Sequence, residues 1–147
     1  MTITYSKTMA KIIALIIWVG GIISLSLKGI EHFTAAYHAD MSTLIIIISV
    51  VFSIIAGLLK GHFLFRKNCR NNLNRIDNLI HPHFWQAFST TFFLALIIMM
   101  STGILLSHYA IGHPVFEMTV GILDWIIATS LAISSLEFYY NFKKQIK

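Results

Sequence analysis

Residues 43–59 read TLIIIISVVFSIIAGLL, a run without one charged side chain. A half-buried strand alternates apolar and polar positions, and this run does not. Open strands cannot satisfy their backbone groups in hydrocarbon, and a transmembrane barrel also needs alternation. A helix of about 20 apolar residues crosses a core about 30 Å thick. The run falls slightly short, but Lys60 follows it, and a lysine at a helix end can reach the interface along its own aliphatic stem. Residues 43–59 therefore read as a membrane-crossing helix.

Three more such segments flank it. The first runs from Ile12 to Leu27, is closed by Lys28 and extends toward Phe33. The third, Phe84 to Leu106, has no charged residue, and the fourth, Val115 to Leu136, holds Glu117 and Asp124. Composition agrees: 56% of the 147 residues are hydrophobic and 12% charged, against about 25% charged in soluble domains. The expected fold is all-α, a four-helix transmembrane bundle of two helical hairpins forming one integral membrane domain over residues 1–147. Its helices span about 12–33, 43–65, 84–107 and 115–140, with a basic cytoplasmic link over 60–83. Lys7 and Lys11 before the first apolar stretch resemble the start of a signal peptide, and FTAAYHAD offers small residues for cleavage. The preferred reading leaves this segment in place as a helix.

The basic residues set the orientation. With four crossings, ten of the eleven lysines and arginines fall on one side and only Lys28 on the other. The positive-inside rule makes that side, with both termini, cytoplasmic. Trp85, Tyr139 and Tyr140 mark the inner boundary, Tyr37 and Tyr109 the outer one. In the link, Leu59, Phe63, Leu73, Ile76 and Ile80 recur at roughly helical spacing. The second helix is expected to continue past the membrane or bend onto it, with Pro82 ending this section. Arg66, Lys67, Arg70 and Arg75 occupy other faces and suit anionic lipid headgroups or a partner protein better than nucleic acid. Gly112 and Pro114 make the tight outer turn.

Asp124 interrupts the fourth segment. At 1.5 Å per residue it lies about 13 Å inside the outer boundary. An ionised carboxylate there costs at least about 2.5–3.5 kcal/mol, so it should face the bundle interior, be protonated, or both. Ser53 and Ser24 fall at a similar depth, and an interior polar layer of Ser24, Ser53 and Asp124 is expected. Asp124 either binds a proton or cation, or is a protonated group bonding helices together. Small-residue stripes accompany it: Glu117, Gly121, Asp124, Ala128 and Ser135 on helix four, Ser49, Ser53, Gly57 and Lys60 on helix two, and Gly20 with Ser24 on helix one. Two interface charge pairs follow from depth alone, Lys28 with Glu117 and Lys60 with Glu137.

His32, His38, His108 and His113 fall on the outer side and supply imidazoles of the kind that ligate divalent metals or haem iron, although their spacing matches no ligand motif. No cofactor is expected from the sequence otherwise. His81 and His83 form an exposed pair on the opposite side. Cys69 is the single cysteine, which excludes an intrachain disulfide and paired-cysteine zinc sites. No phosphate-binding loop, nucleophile elbow, HExxH or CxxC occurs.

GLLKGHFLFRKNCRNNLNRI, LIIMMSTGILL and VGILDWIIATSLAISSLEFYY together resemble an uncharacterised group of small four-helix bacterial inner-membrane proteins. The matching positions are Leu59-Lys60-Gly61, Arg75-Ile76, Met99-Met100, Gly103, Gly121, Ser135-Leu136 and Tyr139. The resemblance covers about half the chain, implies a multi-pass protein of the bacterial inner membrane and supplies no activity. Three functions stay open. The first is a non-enzymatic interaction or regulatory component of a membrane complex, with a membrane-protein partner or a second copy of itself. The second is a small oligomeric proton- or cation-coupled transporter or channel subunit using Asp124. The third is a haem- or metal-binding membrane protein using the outer histidines.

Overall fold

The computed structural model describes residues 7–79 and 90–145. Within them every regular element is a helix: α1 Lys7–His38, α2 Thr43–Lys60, a π-helical turn Gly61–Phe65, α3 Arg66–Asn78, α4 Thr90–Ala110 and α5 Pro114–Gln145. Ile80, His81, Pro82, His83, Trp85, the first residues of the third apolar segment (84–89) and Lys147 lie outside the described residues. Three helical stretches among the described residues are long and apolar enough to cross a membrane: Lys7–His38, Thr43–Asn78 and Pro114–Lys143. The chain has the build of a membrane protein.

Helix α1 runs past the expected end to His38, where a left-handed residue stops it. Asp40 has φ 61°, a conformation that aspartate tolerates better than most non-glycine residues. Met41 N–H then bonds to Ala36 O and Asp40 N–H to Tyr37 O, both at 3.2 Å, the double closure of a Schellman turn. Between α4 and α5, Gly112 takes φ 82° and Pro114 opens α5, where a missing N–H costs nothing. His113 O accepts from both Phe116 and Glu117 N–H at 2.9 Å.

The second helix continues rather than bends: α2, the π turn and α3 are one rod. At 1.5 Å per residue it reaches about 50 Å, well beyond a hydrocarbon core. In the π turn Arg66 N–H bonds back to Gly61 O.

Helix α5 is the centre. Helices α1 and α2 lie along it and hardly touch each other, α3 packs on α5 and α1, and α4 meets α5 over a short stretch. The buried face of α1 carries Lys11, Ala14, Trp18, Gly29, His32 and Ala36, recurring every three or four residues or in multiples of that step. The buried face of α2 is Ser49, Ser53 and Gly57, continued by Gly61. Small residues four apart let backbones approach. A Cβ at Gly57 would stand 2.6 Å from Thr129 Cβ and 2.8 Å from Ile126 O, and one at Gly61 2.9 Å from Ser130 Cα. Ser130 Oγ donates to Gly57 O at 2.9 Å.

A buried apolar cluster sits where the start of α1, α3 and the later part of α5 meet, here called the basic end. It joins Ala10, Ala14 and Trp18 of α1, Cys69, Leu73 and Ile76 of α3, and Leu131 and Phe138 of α5. Trp18 meets Phe138 edge-to-face at 6.0 Å, and its indole Nε1–H donates to Leu131 O and Ser134 Oγ at 3.0 Å. The other end, with the α1–α2 and α4–α5 turns, is the hairpin end.

Candidate functional site

Near the hairpin end, α5 carries two carboxylates on one face. Glu117 and Asp124 are seven residues apart, two helical turns, and both are buried. Gly121 lies midway and opens a notch between them: a Cβ there would stand 3.2 Å from His32 Cβ and 3.3 Å from Gly29 O. His32 of α1 occupies the notch. Its Nδ1 is hydrogen-bonded to Glu117 Oε2. Its Nε2 lies 3.0 Å from Ser107 Oγ of α4 and 4.0 Å from Asp124 Oδ2. One imidazole thus stands between two carboxylates of a neighbouring helix, and α4 closes the site with a hydroxyl. Alongside, the Trp125 indole lies over Gly29 and meets Phe33 edge-to-face at 6.0 Å. Trp125 Nε1 is buried and has no hydrogen-bond partner among the described residues.

Local sequence explains the arrangement. Gly29, His32, Phe33 and Ala36 share the α5-facing side of α1 because the adjacent pair His32 and Phe33 lies three or four residues from Gly29 on one side and from Ala36 on the other. Charged groups buried in hydrocarbon are tolerated when paired within the protein, and Glu117 and His32 meet that condition directly. Asp124 makes no hydrogen bond among the described residues.

The basic end holds two further polar clusters. Lys11 is fully buried, with its ammonium 2.5 Å from Asp77 Oδ1 and donating to Asn141 Oδ1 at 2.6 Å. Lys7 donates to Asp77 O at 2.7 Å. These contacts join α1, α3 and α5. One turn along, Arg66 grips Glu137 Oε1 through Nη2 at 2.7 Å and Nε at 2.8 Å, and Arg70 Nε approaches Oε2 at 3.6 Å.

The expected polar layer is only partly assembled. Asp124 and Ser53 are buried, but Ser53 Oγ donates within its own helix, to Ser49 O at 2.5 Å. Ser24 is exposed, as is Gly20. Trp18 and Gly29 fix the inward face of α1, and Ser24 lies outside the stripe they define. Neither expected charge pair forms. Lys28 sits at the rim of the stripe and pairs with Glu31 at 2.5 Å on the exposed surface, leaving Glu117 to His32. Lys60 is exposed, and Arg66, brought round by the π turn, takes Glu137. Depth along the normal places each residue at its level, but only helix rotation selects the partner.

The four outer histidines do not converge. His38, His108 and His113 are exposed, and both ring nitrogens of His32 are engaged, so His32 is no metal ligand in this arrangement. Among the described residues no group of three or more His, Cys, Asp or Glu is placed to hold a metal ion. Of the four basic residues assigned to lipid or partner contact, Lys67 and Arg70 are exposed while Arg66 and Arg75 are half-buried. A shallow depression lined by Tyr37, Asp40, Ser42 and Leu44 marks the α1–α2 turn.

The sequence reading passed over His32 as the partner of Glu117, and over Lys11, Asp77 and Asn141. The signal for His32 was present: Gly29 and Ala36 flank it at helical spacing, as small residues do on a packed face. Asp77 carried none, since an acidic residue in a basic link reads as solvated. Comparison of the chain with protein-family models, curated proteins and solved structures returns no match.

Proposed function

We propose that this is a multi-pass protein of the bacterial inner membrane that acts, without catalysing a reaction, as an interaction or regulatory component of a larger membrane complex. In this reading α4, with the charge-free residues before it, is a further crossing, third in chain order, and the basic end with both termini is cytoplasmic. Exposed Tyr37 and Tyr109 at one end and Tyr139 and Tyr140 at the other suit two aromatic belts. Lys67 and Arg70 face anionic headgroups or a cytoplasmic partner.

The observation that carries this reading is the open build around α5. Among the described residues α1 and α2 flank α5 without closing on each other, and α4 meets α5 over a short stretch. Leu94, Ile97, Ile98, Ile104 and Leu105 of α4 are exposed, which leaves room for a helix of another chain. Purification of the tagged full chain from native membranes in mild detergent should retain one stoichiometric membrane protein. A monodisperse monomer, together with no crosslinked species in intact membranes, would refute the reading.

A second reading is a small oligomeric proton- or cation-coupled transporter or channel subunit. It is favoured by buried Asp124 lying 4.0 Å from the His32 imidazole. Ion-driven flux in liposomes, abolished by Asp124→Asn, is its test.

A further inference from the structure

We infer that the His32–Glu117–Asp124 cluster is a binding site for one exchangeable proton, carried by the Asp124 carboxyl. The inference deepens the second reading by naming the ion, and rests on it only for the idea that the seam between α1 and α5 takes up a cation.

Charge balance comes first. Two carboxylates and one imidazole share the seam. With the imidazole protonated and both carboxylates ionised, the cluster carries one uncompensated negative charge. One further proton makes it neutral, the state that a buried, hydrocarbon-flanked site favours. Lys28 lies within electrostatic reach of Asp124 but does not supply the balance. On α1, Lys28 is 59% exposed and committed to Glu31 at 2.5 Å. On α5 the charged groups facing His32 are Glu117 and Asp124 themselves. Among the described residues α4 contributes the Ser107 hydroxyl and no charge, and α2 has no charged residue before Lys60 at the far end.

Geometry decides which group takes the proton. Glu117 already holds His32 Nδ1, and Ser107 Oγ lies within hydrogen-bond distance of Nε2. Asp124 is buried, with 12% of its side chain exposed, makes no hydrogen bond among the described residues, and its Oδ2 stops 4.0 Å short of Nε2. That gap is about 1 Å longer than a hydrogen bond. It fits a neutral carboxyl waiting beside an imidazolium. On release, the proton leaves the Asp124 carboxyl oxygen for water. The imidazolium, still anchored by Glu117, turns Nε2–H from Ser107 to the new carboxylate. Ser107 then loses its contact with His32 Nε2, so the proton is coupled to the docking of α4. A metal ion fits less well, because the ring nitrogens are engaged and no three-ligand group is assembled among the described residues.

The test is infrared spectroscopy of the full-length protein in lipid nanodiscs, with pH varied in light and heavy water. A protonated-carboxyl C=O band should be present at low pH, vanish as pH rises, and be missing in Asp124→Asn. In Glu117→Gln, which keeps Asp124, the same band should persist and its midpoint should move by tenfold or more in proton concentration. Lys28→Ala should leave it within threefold. Absence of any titrating band, or an unchanged band in Asp124→Asn, overturns the site; so does a band whose midpoint ignores Glu117→Gln. Stoichiometric binding of zinc ion added alone, lost in His32→Asn, overturns it in favour of a metal. Because the measurement reads binding, absent flux with a titrating Asp124 band removes the transport reading and upholds the site.

Discussion

At the basic end, Lys11 meets Asp77 at 2.5 Å and Arg66 meets Glu137 at 2.7 Å; at the hairpin end, His32 stands between Glu117 and Asp124. Both ends bury ionisable groups, but the balances differ. Each carboxylate at the basic end has at least one permanent cation, and Asn141 supplies a further acceptor to Lys11. The hairpin end has two carboxylates and one group whose charge depends on pH. The basic end is also backed by the apolar cluster around Trp18 and Phe138. There, ion pairs pin α3 against α1 and α5. At the hairpin end the same chemistry is left one charge out of balance, which suits a site that changes state rather than a clamp.

The contrast can be broken by mutation. Asp77→Ala strands the fully buried Lys11 ammonium. Removing one partner of a buried pair costs about 3–5 kcal/mol; because Asp77 is 35% exposed, the lower figure, about 3 kcal/mol, is expected from reversible unfolding in mixed detergent. Lys11→Met with Asp77→Leu together should recover most of that loss. The matching change at the hairpin end, Asp124→Asn, should cost under about 1 kcal/mol, the scale of one interhelical hydrogen bond in a membrane. Equal losses at the two ends would dissolve the distinction. Next comes Gly57→Val, which drives a side chain into Thr129 and the Ile126 carbonyl and should cost about 1–3 kcal/mol, with crosslinking between α2 and α5 reduced. Glu137→Gln weakens the hold on Arg66 and Arg70, and a loss of about 1.5 kcal/mol is expected, accompanied by faster proteolysis within α3. Ser130→Ala removes the bond to Gly57 O for about 0.6 kcal/mol in the same unfolding assay. Lys28→Ala, which touches an exposed pair, should leave the unfolding midpoint unchanged.

Much of the architecture was legible from residues 43–59 outward, because long apolar runs bounded by lysines leave few alternatives to membrane-length helices. Asp124 was legible as a buried group for the same reason: hydrocarbon forces a carboxylate inward. Rotation about each helix axis was not legible. Between Ile12 and Ile23 of α1 no side chain is charged or hydroxyl-bearing, so no contrast marks one face, and Gly20 with Ser24 makes as good a stripe in sequence as Ala14, Trp18 and Gly29. Lys11 reads as a flanking cation, and only the arrival of Asp77 from sixty-six residues away makes it a buried one. The link misled through its π turn. Leu59 and Phe63 seemed to continue into Leu73 and Ile76, yet the first two are exposed and the last two buried.

That turn, Gly61–Phe65, works as a phase adjuster in an otherwise rigid shaft. A π turn takes in one residue more than an α turn of the same span. Rewinding it as regular α-helix with no residue removed would swing everything from Arg66 onward by about 100°. Arg66 would leave Glu137, Asp77 would leave Lys11, and Cys69, Leu73 and Ile76 would roll away from Phe138. Register between the apolar half of the rod and its basic extension is therefore set by one surplus residue, held where Gly61 packs against the backbone of Ser130.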